Sequence, residues 1–165
     1  VGRLNDQTVC CVFRVNVSND GKYFATLVNL YVLGRQAETK TFNRQAIELK
    51  RIIKKFKPLE VIIDTNGLGI GFADEMIREQ VDEFGNIYEP LGFKNDDDFI
   101  KIQPKDAICI LYGIKANGPL NSKIHGNAYT RLNGGLVRFL IKEQEAKNAL
   151  LSTKVGQKMT VTQRV

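Results

Sequence analysis

The 165-residue chain has no tryptophan, one histidine and three cysteines. It has no apolar run of the roughly 18 residues that a membrane-spanning helix requires, so none is predicted. A single histidine and the lack of a C-x-x-C pair exclude a zinc finger. The cysteines Cys10, Cys11 and Cys109 lie in apolar runs, and we predict that all three are reduced core residues of a cytosolic protein.

The composition that remains is that of an ordinary globular chain. Hydrophobic residues make up 43% and charged residues 25%, and a chain of this length can bury one core. The net charge is +6, which is compatible with a polyanionic partner. This charge is unevenly placed: residues 40–57 hold seven basic residues and one acid, whereas residues 74–98 hold nine acids and two basic residues.

The hydrophobic pattern predicts an α/β fold. Residues 8–17 and 23–33 are rich in β-branched and aromatic types, and the turn signal Ser18-Asn19-Asp20-Gly21 between them predicts an antiparallel hairpin. The region 86–105 is predicted to be irregular. The other predicted elements are, in chain order, a helix from Asn43 as its cap to 56, a strand over 60–64, a helix over 72–81, a strand over 107–114, a helix over 121–132, a strand over 136–140 and a helix over 142–151. A hairpin followed by alternating units predicts a mixed sheet with helices on its faces.

The segment most suggestive of chemistry runs from Asp64 to Gly71, directly after an apolar strand. Its glycines fit neither the dinucleotide-binding nor the P-loop spacing, and Asp64 would repel a phosphate unless a cation lay between them. A carboxylate at a strand end suits Mg²⁺ or Mn²⁺, which prefer oxygen ligands. The alternative is that Asp64 is a turn or cap residue.

The basic segment contains candidate phosphate contacts. We predict that Lys50, Arg51, Lys54 and Lys55 bind DNA; the alternative is a solvated helix face. No aromatic residues interleave with them, so a platform for stacking single-stranded bases is not indicated.

The order of hairpin, helix and a strand ending in Asp64-Thr65-Asn66-Gly67 resembles the RNase H-like nuclease and integrase superfamily. More closely, the chain resembles the C-terminal nuclease domain of bacteriophage terminase large subunits, which cut concatemeric viral DNA during packaging. The similarity extends over essentially the whole chain. The segments that carry it are Val1–Thr8, Ile62–Gly69, Asn121–His125, Glu143–Ala146 and Lys158–Thr160.

The resemblance implies an RNase H-like mixed β-sheet with helices on both faces, and two Mg²⁺ or Mn²⁺ ions bound by three acids. Asp64 matches the second acid. The first acid would immediately precede Val1 and the third has no clear match, so residues 1–165 are expected to form a single nuclease domain without its first strand residues and its C-terminal end. Asp6 is a substitute ligand or a turn residue, and His125 is a minor candidate. Asn66, Gly67 and Gly69 would form a loop that lets the substrate backbone approach.

The implied function is a metal-dependent endonuclease that cleaves double-stranded DNA during viral packaging. The implied partners are DNA, the terminase ATPase domain, the small terminase subunit and the portal, in the host cytoplasm and without a membrane. The alternative is a non-catalytic module that binds nucleic acid or docks a motor on the same fold. Among other acids, Asp96, Asp97 and Asp98 are predicted to form a solvated loop, and Asp106 could reach the same sheet edge as Asp64.

Overall fold

The computed structural model of the chain describes residues 7–34 and 40–139, which form a mixed α/β structure. The helices are α1 (Phe42–Phe56), α2 (Leu68–Met76), α3 (Asp97–Ile102) and α4 (Gly118–Asn133). The strands are β1 (Thr8–Val17), β2 (Tyr23–Leu33), β3 (Val61–Asp64), β4 (Gln80–Val81), β5 (Ile87–Tyr88), β6 (Leu91–Phe93), β7 (Ile108–Ile114) and β8 (Val137–Phe139). None of these helices is long and apolar enough to cross a membrane. The predicted helix over 142–151 lies outside the described residues.

The predicted hairpin is confirmed. β1 and β2 pair antiparallel from Val17 opposite Tyr23 to Thr8 opposite Leu33. The register shifts once, so that Val28 in β2 has no partner and forms a β-bulge. β8 then pairs in parallel with β2, which gives the order β1-β2-β8.

The helix α1 begins at Phe42, one residue before the predicted cap. Thr41, not Asn43, caps it by accepting a hydrogen bond from the backbone of Arg44. The side chain of Asn43 donates instead to Glu75. Lys57 ends the helix in the left-handed conformation at φ 48°, and the proline that follows cannot continue it.

A second sheet has the order β3-β7-β6, and all three of its strands are parallel. The short hairpin of β4 and β5 forms a third sheet. Within residues 7–34 and 40–139 the strands therefore form three sheets, not the one mixed sheet that was predicted. Two further expectations are wrong: α2 begins inside the glycine loop at Leu68, and the region predicted to be irregular contains β5, β6 and α3.

The core lies where α1, α2 and α3 pack against the parallel sheet and one end of the hairpin. Its fully buried side chains include Phe72, Phe93, Met76 and Leu111. Phe93 and Phe99 stack with ring centroids 4.5 Å apart, which fixes α3 on β6.

The cysteines are reduced but are not all core residues. Cys10 is partly buried and packs against the core, and burial raises the pKa of its thiol. Cys11 and Cys109 are exposed, so the prediction of a core position is wrong for both. Successive residues of a strand face opposite sides, which is why adjacent cysteines have different environments.

Candidate functional site

The carboxyl ends of β3, β7 and β6 meet at one edge of the parallel sheet. Asp64 ends β3 directly beside Ile114, the last residue of β7. The side chain of Asn66 donates to the carbonyl of Ala116, which ties the loop after β3 to the loop after β7. Asn95, just after β6, hydrogen-bonds both backbone groups of Gly113 at 2.8 Å. In open parallel sheets this edge is the usual place for ligands.

Asp64 is exposed at this edge. One of its carboxylate oxygens accepts a hydrogen bond from the backbone N–H of Asn66 at 3.0 Å, which forms an Asx turn. Its second oxygen accepts no hydrogen bond from the part of the chain that the structure describes. Asp64 therefore forms a turn, as one interpretation predicts. It also keeps one carboxylate oxygen available for a cation, as the metal-ligand interpretation requires.

Thr65 points away from this edge. It is 1% exposed, and its hydroxyl oxygen has no hydrogen-bond partner among residues 7–34 and 40–139. Because side chains alternate along an extended segment, Thr65 lies on the face opposite Asp64, against Gly113 of β7. Its buried hydroxyl therefore does not add a donor beside Asp64.

Glycine is favoured at positions 67 and 69 of the loop for different structural reasons. Gly67 has φ 51° and ψ −115°, a conformation that strongly favours glycine at the first central position of a type II′ turn. Gly69 is buried, and a Cβ added to it would lie 2.0 Å from the carbonyl oxygen of Asp64. Gly69 thus allows α2 to begin against its own strand, which is a structural reason for a glycine here, and its role in substrate approach stays a prediction. Gly67 has open space around it, so that role stays a prediction for Gly67.

A lysine at the same edge was missed by the sequence reasoning. Lys115 follows β7, and its ammonium lies 3.0 Å from Asp96 and 3.9 Å from Asp98. Burial alone would raise the pKa of Asp96, but the hydrogen bond and charge of Lys115 lower it. The rule that singled out Asp64, a polar residue directly after a buried strand, would also have found Lys115.

The acidic triplet is not a solvated loop. Asp96 is buried and caps α3 by accepting a hydrogen bond from the backbone of Asp98. Asp97 and Asp98 occupy the first turn of α3, where negative charge is favoured by the helix dipole.

Of three other candidates, one lies at the opposite edge of the sheet, one lies on an exposed helix and one falls outside the described residues. Asp106 precedes β7, and since β7 is parallel to β3, Asp106 lies at the opposite edge; the expectation that it shares the edge of Asp64 is wrong. His125 lies in the middle of α4, and no residue of that helix is buried. Asp6 lies outside the described residues.

The predicted phosphate contacts separate into two pairs. Lys50 is 3% exposed and donates to the carbonyl of Arg78, so its ammonium is out of reach of a DNA phosphate in this structure. Burial lowers the pKa of Lys50 to about 8, against the raising effect of two nearby glutamates. The prediction is therefore corrected for Lys50. Lys54 and Lys55 are exposed.

Arg51 binds acids of its own chain. Its guanidinium lies 2.9 Å from both Asp82 and Glu83 and donates to the Tyr88 hydroxyl at 3.3 Å. Burial alone would raise the pKa of Asp82, but hydrogen bonds from Asn86 and Arg51 hold it well below its usual range. This network fastens the β4–β5 hairpin to α1, which is a structural role.

The basic end of α1 and the Asp64 edge lie toward opposite ends of β3. Only residues 57–60 connect α1 to β3, so the end of α1 that carries Lys54 and Lys55 lies near the amino end of β3, whereas Asp64 lies at its carboxyl end.

Among the described residues, this edge offers a divalent ion a single available carboxylate, that of Asp64. Among residues 7–34 and 40–139, no group of three or more His, Cys, Asp or Glu side chains could hold a metal ion. Asp64 offers one carboxylate, and Asp96 is already paired with Lys115. Mg²⁺ is commonly held by one or two carboxylates with water and a substrate phosphate, but a two-ion centre needs more ligands than Asp64 supplies.

Comparison of the chain with protein-family models, with curated proteins and with solved structures found no match. The function is therefore argued from the residues and their geometry.

Proposed function

We propose that the chain is a Mg²⁺- or Mn²⁺-dependent endonuclease domain of a viral DNA-packaging terminase. The observation that carries the proposal is the placement of Asp64: an exposed carboxylate at the carboxyl end of a parallel strand, followed by a glycine-dependent turn. The hairpin, the helix α1 and the strand that ends in Asp64 follow one another in the order in which the chain resembles the terminase nuclease domain. The proposed partners are double-stranded DNA, the packaging ATPase domain, the small terminase subunit and the portal, in the host cytoplasm.

The proposal gives each part of the site a separate task. Asp64 would hold one ion through its free oxygen, while its other oxygen keeps the loop in place through Asn66. The remaining acids would come from residues beyond the described ranges, with Asp6 as one candidate. The exposed Lys54 and Lys55 would bind DNA phosphates without reading the base sequence.

The decisive experiment compares Asp64→Asn with wild-type chain on supercoiled plasmid in Mn²⁺. An asparagine side chain still accepts the hydrogen bond from Asn66, so the loop is preserved while the charge is lost. We expect nicking to fall at least 100-fold in Asp64→Asn and to stay unchanged in Asp97→Asn, a matched loss of an exposed carboxylate. Weakened Mn²⁺ binding by titration calorimetry gives a readout independent of activity.

Equal nicking by the wild-type chain and Asp64→Asn would refute the role of Asp64. The specific observation that favours the non-catalytic alternative is that Asp64 is the carboxylate this edge offers among the described residues, since Asp96 is paired with Lys115. Absence of nicking by wild-type chain that still binds DNA would support that alternative.

The DNA-binding part has its own test. We expect the double change Lys54→Glu, Lys55→Glu to weaken duplex binding and to lower the slope of log K against log salt by about 1 to 2, because each phosphate contact contributes roughly 0.9. The exposed Lys101 of α3 supplies the control, with Lys101→Glu leaving the slope unchanged. An unchanged slope in the double variant would remove α1 from the interface.

A further inference from the structure

One face of the β1-β2-β8 sheet points away from α1 and the core. We call it the outer hairpin face, and its membership follows from the strand register because paired residues share a face. The opposite face contacts α1 and the core near Thr8 and Leu33. The outer hairpin face consists of Val9, Cys11, Phe13, Val15 and Val17 of β1, Tyr23, Ala25, Leu27, Leu30 and Val32 of β2, and Val137 and Phe139 of β8.

None of the residues of the outer hairpin face is charged. Its one hydroxyl group belongs to Tyr23, at the end of the face next to the hairpin turn. Phe13, Leu27 and Phe139 form a row that crosses all three strands. The face is therefore a continuous apolar surface over the width of the sheet.

The exposed area of this face is large. Seven of its side chains are between 47% and 64% exposed: Val9, Phe13, Val15, Val17, Tyr23, Leu30 and Phe139. At roughly 80–100 Å² each, they present about 600–700 Å² of apolar surface. The largest apolar patch of a typical soluble monomer is about 300–600 Å². The outer hairpin face therefore exceeds what a monomer usually leaves in water.

This area matches what a stable pair of identical chains needs. Two copies that meet through the outer hairpin face would together remove about 1,200–1,400 Å² from water, and specific stable interfaces bury about 1,200–2,000 Å². In a two-fold dimer the same patch serves both copies, so the patch must be complementary to itself. A sheet face meets this condition, because two sheets pack face to face about 10 Å apart, as in a β-sandwich.

The composition of the face favours a second copy over a partner that binds and dissociates. Transient interfaces are about as polar as the rest of a protein surface, whereas homodimer interfaces are more apolar. A face without charged residues can be buried against itself without leaving a charge unpaired. We propose that the outer hairpin face is a two-fold interface between two copies of this chain. This proposal does not depend on the proposed nuclease function.

Sedimentation velocity over a hundredfold range of concentration tests the proposal. We expect a dimer that dissociates on dilution, because the stability of such an assembly depends on the concentration of the chain. Val15→Glu would place one carboxylate from each copy in the interface and should weaken dimerisation at least 100-fold. Val81 of β4 supplies the matched control: it is 53% exposed, against 64% for Val15, but it belongs to another sheet. Val81→Glu should leave dimerisation unchanged.

A milder change keeps the test valid if circular dichroism shows that Val15→Glu disturbs the fold. Val15→Thr retains the branched shape that suits a strand and adds a hydroxyl group. Burying that hydroxyl without a partner is unfavourable in both copies, so Val15→Thr should still weaken dimerisation about fivefold.

Cys11 reports whether the outer hairpin face is the buried one. It belongs to this face, whereas Cys109 lies on β7 in the other sheet, and both are exposed in the part of the chain that the structure describes. Maleimide labelling is followed at each cysteine by tandem mass spectrometry. We expect Cys11 to react at least tenfold more slowly in the concentrated dimer than in the dilute monomer. Cys109 should react at the same rate in both.

Three results would overturn the proposal. A dimer that both changes at Val15 leave intact would place the interface elsewhere, and so would equal labelling of Cys11 in dimer and monomer. A chain that stays monomeric at every concentration would exclude a second copy. In that monomer, slow labelling of Cys11 would assign the cover to another part of the same chain, and fast labelling would leave the face to a different protein.

Discussion

Substituting Gly69 by alanine should be the most damaging single-methyl change in the loop after β3. The added Cβ would lie 2.0 Å from the carbonyl oxygen of Asp64 and 2.9 Å from its carbonyl carbon. Carbon and oxygen normally approach to about 3.3 Å, so a displacement of roughly 1.3 Å is needed. The obstructing atoms belong to the backbone of a strand paired with β7, and they cannot rotate away as a side chain would.

The expected magnitude follows from this geometry. Overpacking against side chains that can yield costs about 1–3 kcal/mol, so a clash with backbone should cost at least about 3 kcal/mol of unfolding free energy. With a urea m-value of about 1–3 kcal/mol/M, the unfolding midpoint should fall by about 1–3 M. Urea unfolding at 25 °C, followed by far-UV circular dichroism, measures both quantities.

Two other glycines serve as graded controls. Gly67→Ala meets open space but retains a positive φ, and should cost about 1–3 kcal/mol. Gly126 lies in the exposed helix α4 with open space around it, so Gly126→Ala should stabilise the chain by about 0.5–1 kcal/mol. A loss in Gly69→Ala smaller than that in Gly67→Ala, at an unchanged m-value, would refute the reasoning.

Three further predictions concern ionisable groups. Since the folded state lowers the pKa of Lys50 from 10.5 to about 8, the unfolded chain binds the extra proton between these values, and stability should rise with pH across that window. The rise, relative to Lys50→Met, should reach up to about 3 kcal/mol, and nearer 2 kcal/mol once solvent screening is included. Asp82→Asn should lower the urea midpoint at pH 7, and the gap to wild type should narrow as the pH falls below 3.8, because the folded state holds the pKa of Asp82 below that value. Lys115→Met should raise the pKa of Asp96 in an NMR titration, because the burial that opposes ionisation remains while the stabilising cation is lost.

Each of these three has a result that contradicts it. If the difference in unfolding free energy between wild type and Lys50→Met stays constant from pH 8 to 10.5, burial does not lower the pKa of Lys50. A midpoint in Asp82→Asn equal to wild type would mean that the network around Arg51 does not hold the β4–β5 hairpin. An unchanged pKa of Asp96 in Lys115→Met would show that the ion pair seen at 3.0 Å is broken in solution.

Local signals in the sequence were sufficient for most of the elements. The hairpin, α1, β3, β7 and α4 follow from turn residues and periodicity that act over a few neighbours. The start of α2 was misplaced because glycines were interpreted as loop residues, although Gly67 and Gly69 are what allow the helix to begin so soon after β3. The divided sheet was not predictable in this way, because strand pairing depends on contacts distant in sequence.

The positions of the candidate residues were predictable in part. Asp64 and Asn66 lie at the end of a strand, as predicted, and their role in a functional site stays a prediction. The burial of Lys50 and the pairing of Asp96 with Lys115 depend on which elements pack together, and residue types alone do not reveal this. A run of basic residues therefore does not show which of them can contact a partner, since Lys50, one of the four candidates on α1, is buried inside the fold.

The bulge at Val28 has a consequence for how β2 tolerates mutation. Leu27 pairs with Phe13 and Asn29 with Val12, so the removal of Val28 would leave every other pair of the hairpin in place. If Val28 instead took a regular position in the ladder, Leu30 and Val32 would exchange faces with Asn29 and Tyr31, because a shift of one residue reverses the direction of every side chain beyond it. A deletion of one codon at Val28 should thus be better tolerated than the deletion of a paired residue of β2.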